Sequence, residues 1–96
     1  IRRSVSPPAT GSNIDMIEVE FPAGAKVTFA PQAANAGITQ HLWLLNGQME
    51  ITVGATAYQL HTGDCLYMPL VEGITFHNPG TSTARYTIVL ERRSSL

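Results

Sequence analysis

The sequence predicts a single all-β domain, an antiparallel barrel or double sheet, on three observations. Apolar alternations of about five to seven residues recur along the chain, separated by Gly, Pro, Asn or Asp every eight to twelve residues or so, the spacing of hairpin-connected strands. No window carries apolar residues at i, i+3, i+4 and i+7 over the length of a helix, because Gly and Pro interrupt each one. The chain has 96 residues, 44% of them hydrophobic and 14% charged, enough for one core and too little for two.

Taken in order, residues 1–13 read as a polar, Pro-containing linker and residues 14–96 as the folded domain. The first residue is Ile1 rather than Met, so the sequence reads as the C-terminal piece of a longer protein. Along residues 14–21, Ile17, Val19 and Phe21 share one face and Glu18 and Glu20 the other. Pro22, Ala23 and Gly24 make a turn, Val27 and Phe29 start the next strand, and residues 30–39 form a loop with Pro31 and Gly37. Residues 40–45 and 48–53 flank Asn46-Gly47, the dipeptide that best supplies the two positive-φ positions of a two-residue type I′ hairpin. That turn predicts the pairs Leu45–Gln48, Leu44–Met49, Leu42–Ile51 and Gln40–Val53. Gln40, Leu42, Leu44, Met49, Ile51 and Val53 then share one face. His41, Trp43, Leu45, Gln48, Glu50 and Thr52 share the other.

A turn at Gly54-Ala55-Thr56 leads to residues 57–60. A second, His61-Thr62-Gly63-Asp64, has Asp64 as its capping side chain and leads to residues 65–68, where Leu66 and Met68 share a face. Pro69 and Gly73 bound a loop, residues 74–78 are a short strand, and Pro79-Gly80 turns into residues 84–90. There Ala84, Tyr86, Ile88 and Leu90 alternate with Arg85, Thr87 and Val89. About eight strands joined mostly by hairpins suit a closed or double-sheet barrel.

Charge narrows the function. Six Lys+Arg against seven Asp+Glu give a formal charge of −1, and the longest basic clusters are the pairs Arg2-Arg3 and Arg92-Arg93. Such a chain lacks the cationic stripe that gripping nucleic acid or an anionic membrane requires. One cysteine, Cys65, excludes an internal disulfide, and no signal-peptide or membrane-spanning run is present; a reducing, cytoplasmic setting is the expectation. Cys65 has no base at a readable spacing, and no Ser, His and Asp arrangement stands out, so the sequence gives catalysis little support.

The run from Gln40 through Gly47 to Gly63, Asp64, Pro69 and Asn78 resembles the two sequence motifs of the cupins, small jelly-roll barrels. In metal-binding members the first motif reads His-x-His, three or four residues, Glu, six residues, Gly. The second reads Gly, five residues, Pro-x-Gly, two residues, His, three residues, Asn. Anchored on Gly47 and Gly63, the family's Glu falls on Gln40 and its first two histidines on Ala34 and Ala36, or on Ala33 and Asn35 in the longer variant. Pro69 and Asn78 match, Val71 replaces the Gly, and Ile74 stands at the last histidine. An amide is a poor ligand, and Ala and Ile offer no lone pair, whereas a divalent first-row metal wants imidazole or carboxylate donors. The resemblance therefore implies a metal-free barrel with no cofactor. Of the three histidines, strand alternation sets His77 opposite Ile74 and Phe76, the hairpin register sets His41 outward across from Thr52, and His61 lies in a turn. A three-histidine site would need a different register.

The segments 21–25, 41–54, 63–66, 76–80 and 84–86 are further similar to the C-terminal cupin of bacterial regulators that carry an Xre-type helix-turn-helix domain in front. That resemblance implies a cytoplasmic effector-binding sensor and homodimer, with DNA contacted only through a helix-turn-helix domain absent from this chain. The inward face would bind a small molecule through Gln40, Leu42, Met49 and Ile51, together with Met68, Ile74, Phe76 and Tyr86. Gln40 admits two readings: an amide satisfied inside a filled barrel, or one that orients a polar effector together with the Tyr86 hydroxyl. Trp43, with His41, faces outward as an expected dimer contact, the other reading being a lone aromatic half covered by the N-terminal segment. Two alternatives stand beside the sensor: a metal-dependent cupin enzyme of dioxygenase or isomerase type using unorthodox histidines, and a structural dimer module with a filled barrel.

Overall fold

Nine strands in two antiparallel sheets make up the described part of the chain, residues 1–33 and 37–92 of a computed structural model. They are β1 (Arg2–Ser4), β2 (Ile14–Phe21), β3 (Lys26–Phe29), β4 (Ile38–Asn46), β5 (Gln48–Val53), β6 (Thr56–His61), β7 (Cys65–Pro69), β8 (Ile74–His77) and β9 (Ala84–Arg92). One sheet runs β1-β2-β9-β4-β7 and the other β3-β8-β5-β6. The period-2 pattern dictates how they stack. Ile17, Val19, Phe21, Leu42, Leu44, Met68, Ala84, Tyr86 and Ile88 point inward from the first sheet. Met49, Ile51, Leu60, Ile74 and Phe76 meet them from the second. The two sheets do not close into a hydrogen-bonded cylinder; the architecture is the double sheet of a jelly roll.

Asn46-Gly47 is a corner rather than a hairpin. β4 pairs with β7 and β9, and β5 pairs with β6 and β8, so the expected pairs Leu45–Gln48, Leu44–Met49, Leu42–Ile51 and Gln40–Val53 do not form. Gly47 has φ of 106° and Asn46 is not among the positive-φ residues, whereas a type I′ turn needs both positive. The β4–β9 register shifts between Leu44 and Asn46, an irregularity that lets the chain leave one sheet for the other. Gly47 is locked there: its amide donates to Thr62 Oγ1 at 3.1 Å, and the Thr62 hydroxyl donates to the Gly47 carbonyl at 3.3 Å. A Cβ at this position would lie 3.0 Å from the Ala84 Cα. The inside–outside assignment survives the wrong pairing, because a corner between stacked sheets preserves the alternation of faces. His41 is therefore cross-strand from Tyr67 and Val89, not Thr52, and Trp43 from Cys65 and Thr87.

Other turns form as the residues dictate. Asp64 accepts the His61 amide at 2.8 Å and its own amide donates to the His61 carbonyl at 2.9 Å, closing the turn into β7. Asn78, fully buried, donates to the carbonyls of Phe21 at 3.0 Å and Ser82 at 2.9 Å and accepts the Gly80 amide at 2.9 Å. One side chain thus ties the β2–β3 turn to the β8–β9 turn. The segment read as linker also contributes structure. Arg2, Arg3 and Ser4 pair with Val19, Glu18 and Ile17, adding an edge strand to the first sheet.

Candidate ligand-binding pocket

Burial is uneven across the double sheet: side chains of β4, β5 and β7 form its packed end, and hollows open toward the edge strands β1 and β3. Leu42, Leu44, Met49 and Ile51 have no exposed surface, and Met68 has 1%. By contrast β3, an edge strand, is exposed along its whole length, with 42% of Val27 and 53% of Phe29 open to solvent. An aromatic row runs from this edge into the molecule. Phe29 meets Phe76 edge-on at 5.7 Å, Phe76 stacks nearly parallel to Tyr86 at 6.4 Å, and Phe21 lies 6.3 Å from Tyr86.

Two hollows open beside this row. The smaller, about 150 Å³, has walls of Phe29, Leu70, Ile74, Phe76, Ile88 and Leu90 and three polar groups, Arg2, Gln40 and Glu72. The larger, about 310 Å³, lies between β1–β2 and β3, against Val19, Phe21, Val27 and Tyr86. Arg2, Phe29, Phe76 and Ile88 border both. An apolar concavity with a few polar groups is the usual form of a small-molecule site.

Gln40 is the polar group held deepest, 5% exposed on β4 between Met68 of β7 and Leu90 of β9. Its Nε2 donates to the Met68 sulfur at 3.7 Å, and among the described residues this is its one side-chain partner. A thioether is a weak acceptor, and an amide offers two donors and a carbonyl. Among the described residues no fully enclosed side-chain N or O lacks a partner, so the unused capacity of Gln40 opens onto the hollow. Burial pushes the Tyr86 phenol up to about 12, with the Arg2 charge pulling the other way, so Tyr86 is a neutral hydroxyl at ordinary pH.

Of the eight residues expected to line a site, Gln40, Ile74, Phe76 and Tyr86 border one hollow or the other. Leu42, Met49, Ile51 and Met68 line neither; they fill the packed end, and Met68 reaches the site only through the Gln40 amide. Two polar residues of the site, Arg2 and Glu72, carry no signal in the sequence: Arg2 falls in the segment that reads as linker, and Glu72 in the loop between Pro69 and Gly73. Phe29 and Leu90 were assigned to strands but to no site.

Among the described residues the donors at the expected ligand positions do not suit a metal. Gln40 and Ile74 stand where the motif resemblance puts two of the ligands of metal-binding cupins, Ala33 is exposed, and Ala34, Asn35 and Ala36 lie outside the described residues. Among the described residues no three His, Cys, Asp or Glu side chains come together as a metal site would need. His61 sits with Asp64 in the β6–β7 turn (3.9 Å), and His77 points outward to Glu50 on β5 (3.7 Å). His41 packs on Tyr67, ring centroids 4.9 Å apart, on the outer face of the first sheet. Trp43 shares that face, 51% exposed, as is 50% of Tyr67.

No family model matches the sequence, and no curated protein matches it either. Solved structures do match. The cupin_2 domain of an XRE family transcriptional regulator from Enterobacter cloacae superimposes with a TM-score of 0.87 at 13% identity, covering 98% of this chain and 97% of that one. The cupin domain of Cnp3 from Schizosaccharomyces pombe gives 0.81 at 19% identity, covering 96% and 60%. An HTH_3 family transcriptional regulator from Vibrio cholerae gives 0.84 at 14% identity and covers 97% of this chain, which spans 51% of the regulator's length. Sequence motifs, sheet order and these superpositions agree: the chain has the fold of a cupin domain.

Proposed function

We propose that this domain is a metal-free cupin that binds a small-molecule effector and dimerises as the sensor part of a cytoplasmic transcriptional regulator, DNA being contacted by a helix-turn-helix domain outside this chain. The observation that carries the reading is Gln40: a buried amide, served inside the protein only by a sulfur, at the site where metal-binding relatives place a carboxylate ligand. A group able to hydrogen-bond but not to hold a divalent cation turns that position from coordination to recognition. The cupin_2 domain of the Enterobacter cloacae regulator and part of the Vibrio cholerae regulator share the fold, which supports the regulatory context. Dimerisation is assigned to the outer face of β4, where Trp43 and His41 stand beside Tyr67. Effector binding would bias the placement of two DNA-binding domains only through its difference in affinity between the two arrangements.

A thermal-shift screen of small polar molecules on the purified chain, with elemental analysis of untagged protein, tests this. The expected result is a saturable rise in melting temperature with some ligand and no stoichiometric transition metal. A bound metal at one per chain would instead favour the enzyme reading.

A further inference from the structure

We propose that the pocket takes a ligand with an apolar body and one carboxylate, and that the Arg2 guanidinium is the carboxylate's partner. This deepens the effector reading above and rests on it. Strand alternation orients β1: Arg3, opposite Glu18, faces outward and pairs with it at 3.1 Å, whereas Arg2, opposite the buried Val19, stands on the hollow side of the strand while remaining exposed at its edge. Arg92 also has a carboxylate, Asp15 at 3.6 Å, but among the described residues Arg2 has none. An unpaired guanidinium on the rim of an apolar concavity is a planar two-point donor awaiting a planar acceptor, and a carboxylate matches it with two parallel hydrogen bonds.

Position within the site selects the orientation. Arg2 lies on the wall common to both hollows; Glu72 is the one acidic residue of the smaller hollow, and Glu20 borders the larger from an exposed position of β2, on the strand face opposite the buried Val19 and Phe21. A carboxylate at the common wall gains Arg2; one placed beside Glu72 would meet repulsion. The body of the ligand then lies along Phe76 and Ile88, which border both hollows, and Gln40 offers its amide to a neutral polar substituent in the smaller one. Arg2 and Tyr86 border the larger hollow together, which puts the guanidinium and the phenol on one site.

The test compares three near-isosteric probes, phenylacetate, phenylacetamide and phenethylamine, by NMR titration of the whole chain, following the methyl and ring signals of Ile74, Phe76 and Ile88. Phenylacetate is expected to bind about tenfold or more tightly than the amide, and the amine to bind worst, in line with the strength of hydrogen bonds to charged groups. Arg2→Gln should abolish the preference for the acid, and Arg3→Gln, which alters the outward-facing neighbour, should leave it intact. Equal binding of acid and amide, or a preference that survives Arg2→Gln, overturns the carboxylate assignment while leaving the effector pocket standing. Failure of all three probes to perturb these signals also overturns it; the broad screen decides separately whether the pocket binds anything.

Discussion

Replacing Gln40 by Met separates an amide kept for recognition from one kept for structure. Gln40 is buried at 5% exposure, and its Nε2 meets only the Met68 sulfur at 3.7 Å. A poorly paired amide in such a place costs roughly 1–3 kcal/mol of desolvation, while a hydrogen bond to sulfur returns less than a normal bond of about 1 kcal/mol. Methionine keeps the length and flexibility of the side chain and removes the polar group, and volume-conserving exchanges of this kind cost less than about 1.5 kcal/mol in packing. The balance predicts a change between neutrality and a gain of about 1–2 kcal/mol. In a domain of this size each kcal/mol moves the melting temperature by about 4–8 °C. Urea denaturation at constant m-value, run beside the thermal-shift screen, gives both readouts. Gln40→Met should match or exceed the parent in stability and lose most of its response to the effector. A loss of stability above about 2 kcal/mol would refute the reasoning, since it would make the amide part of the scaffold.

The remaining predictions test the scaffold and the outer face. Gly47→Ala forces a left-handed backbone and a Cβ 3.0 Å from the Ala84 Cα, so a drop of about 2–4 kcal/mol in urea denaturation is expected, with the β4–β5 corner the first region to lose hydrogen-exchange protection. Asn78→Ala removes three hydrogen bonds, one to Phe21 at the start of the β2–β3 turn and two within the β8–β9 turn, with an expected cost of about 3 kcal/mol by thermal or urea unfolding. Tyr86, with a folded value of about 12 above its ordinary 10, stabilises the fold as the neutral phenol, fully so below about pH 10. Ionising the buried phenol costs about 2–3 kcal/mol by linkage, so the parent should lose about that much stability relative to Tyr86→Phe, which has no group to ionise, as pH rises from about 10 to about 12, with no such drift below about pH 9. Trp43→Glu should leave unfolding almost unchanged and shift sedimentation from dimer to monomer, a single dimeric species at all concentrations being the contrary result.

Much of the core was legible in the sequence because a strand's faces follow from parity alone. Ile17, Val19, Phe21, Leu42, Leu44, Met49 and Ile51 are all buried as the alternation requires, although the strands carrying the last four pair with other partners than expected. Pairing was not legible at Asn46-Gly47. The dipeptide reports a backbone able to reverse, but whether it joins two strands of one sheet or turns a corner depends on Thr62 and Ala84, residues distant in sequence. The same limit applies to the site. Gln40, Ile74, Phe76 and Tyr86 reach the hollows because they face inward, yet inward-facing residues at the packed end do not, and nothing local distinguishes the two ends. Arg2 was hidden for another reason: a three-residue strand has no period to detect, and its order comes from pairing with β2.

The division into a packed and an open end has a consequence for how stability and recognition can vary. Leu42, Leu44, Met49, Ile51 and Met68 hold the sheets together at negligible exposure and touch neither hollow, so truncating them to Ala follows the usual cost of cavity creation, about 2–5 kcal/mol. Phe29, half exposed on an edge strand, contributes little to that core, and Arg2 contributes a charge with no partner among the described residues. Substitutions at these two positions can alter what the pocket prefers at little cost in stability. Gln40 stands at the boundary, on a strand paired on both sides and beside Met68, so its replacement reads on both properties at once, as would truncation of Ile74, Phe76, Tyr86 or Ile88, which are buried and border the hollows. Distant sites of this kind should add independently, so Phe29→Ala and Leu44→Ala combined should show the sum of their separate effects on unfolding, whereas Gln40→Met with Met68→Leu should not.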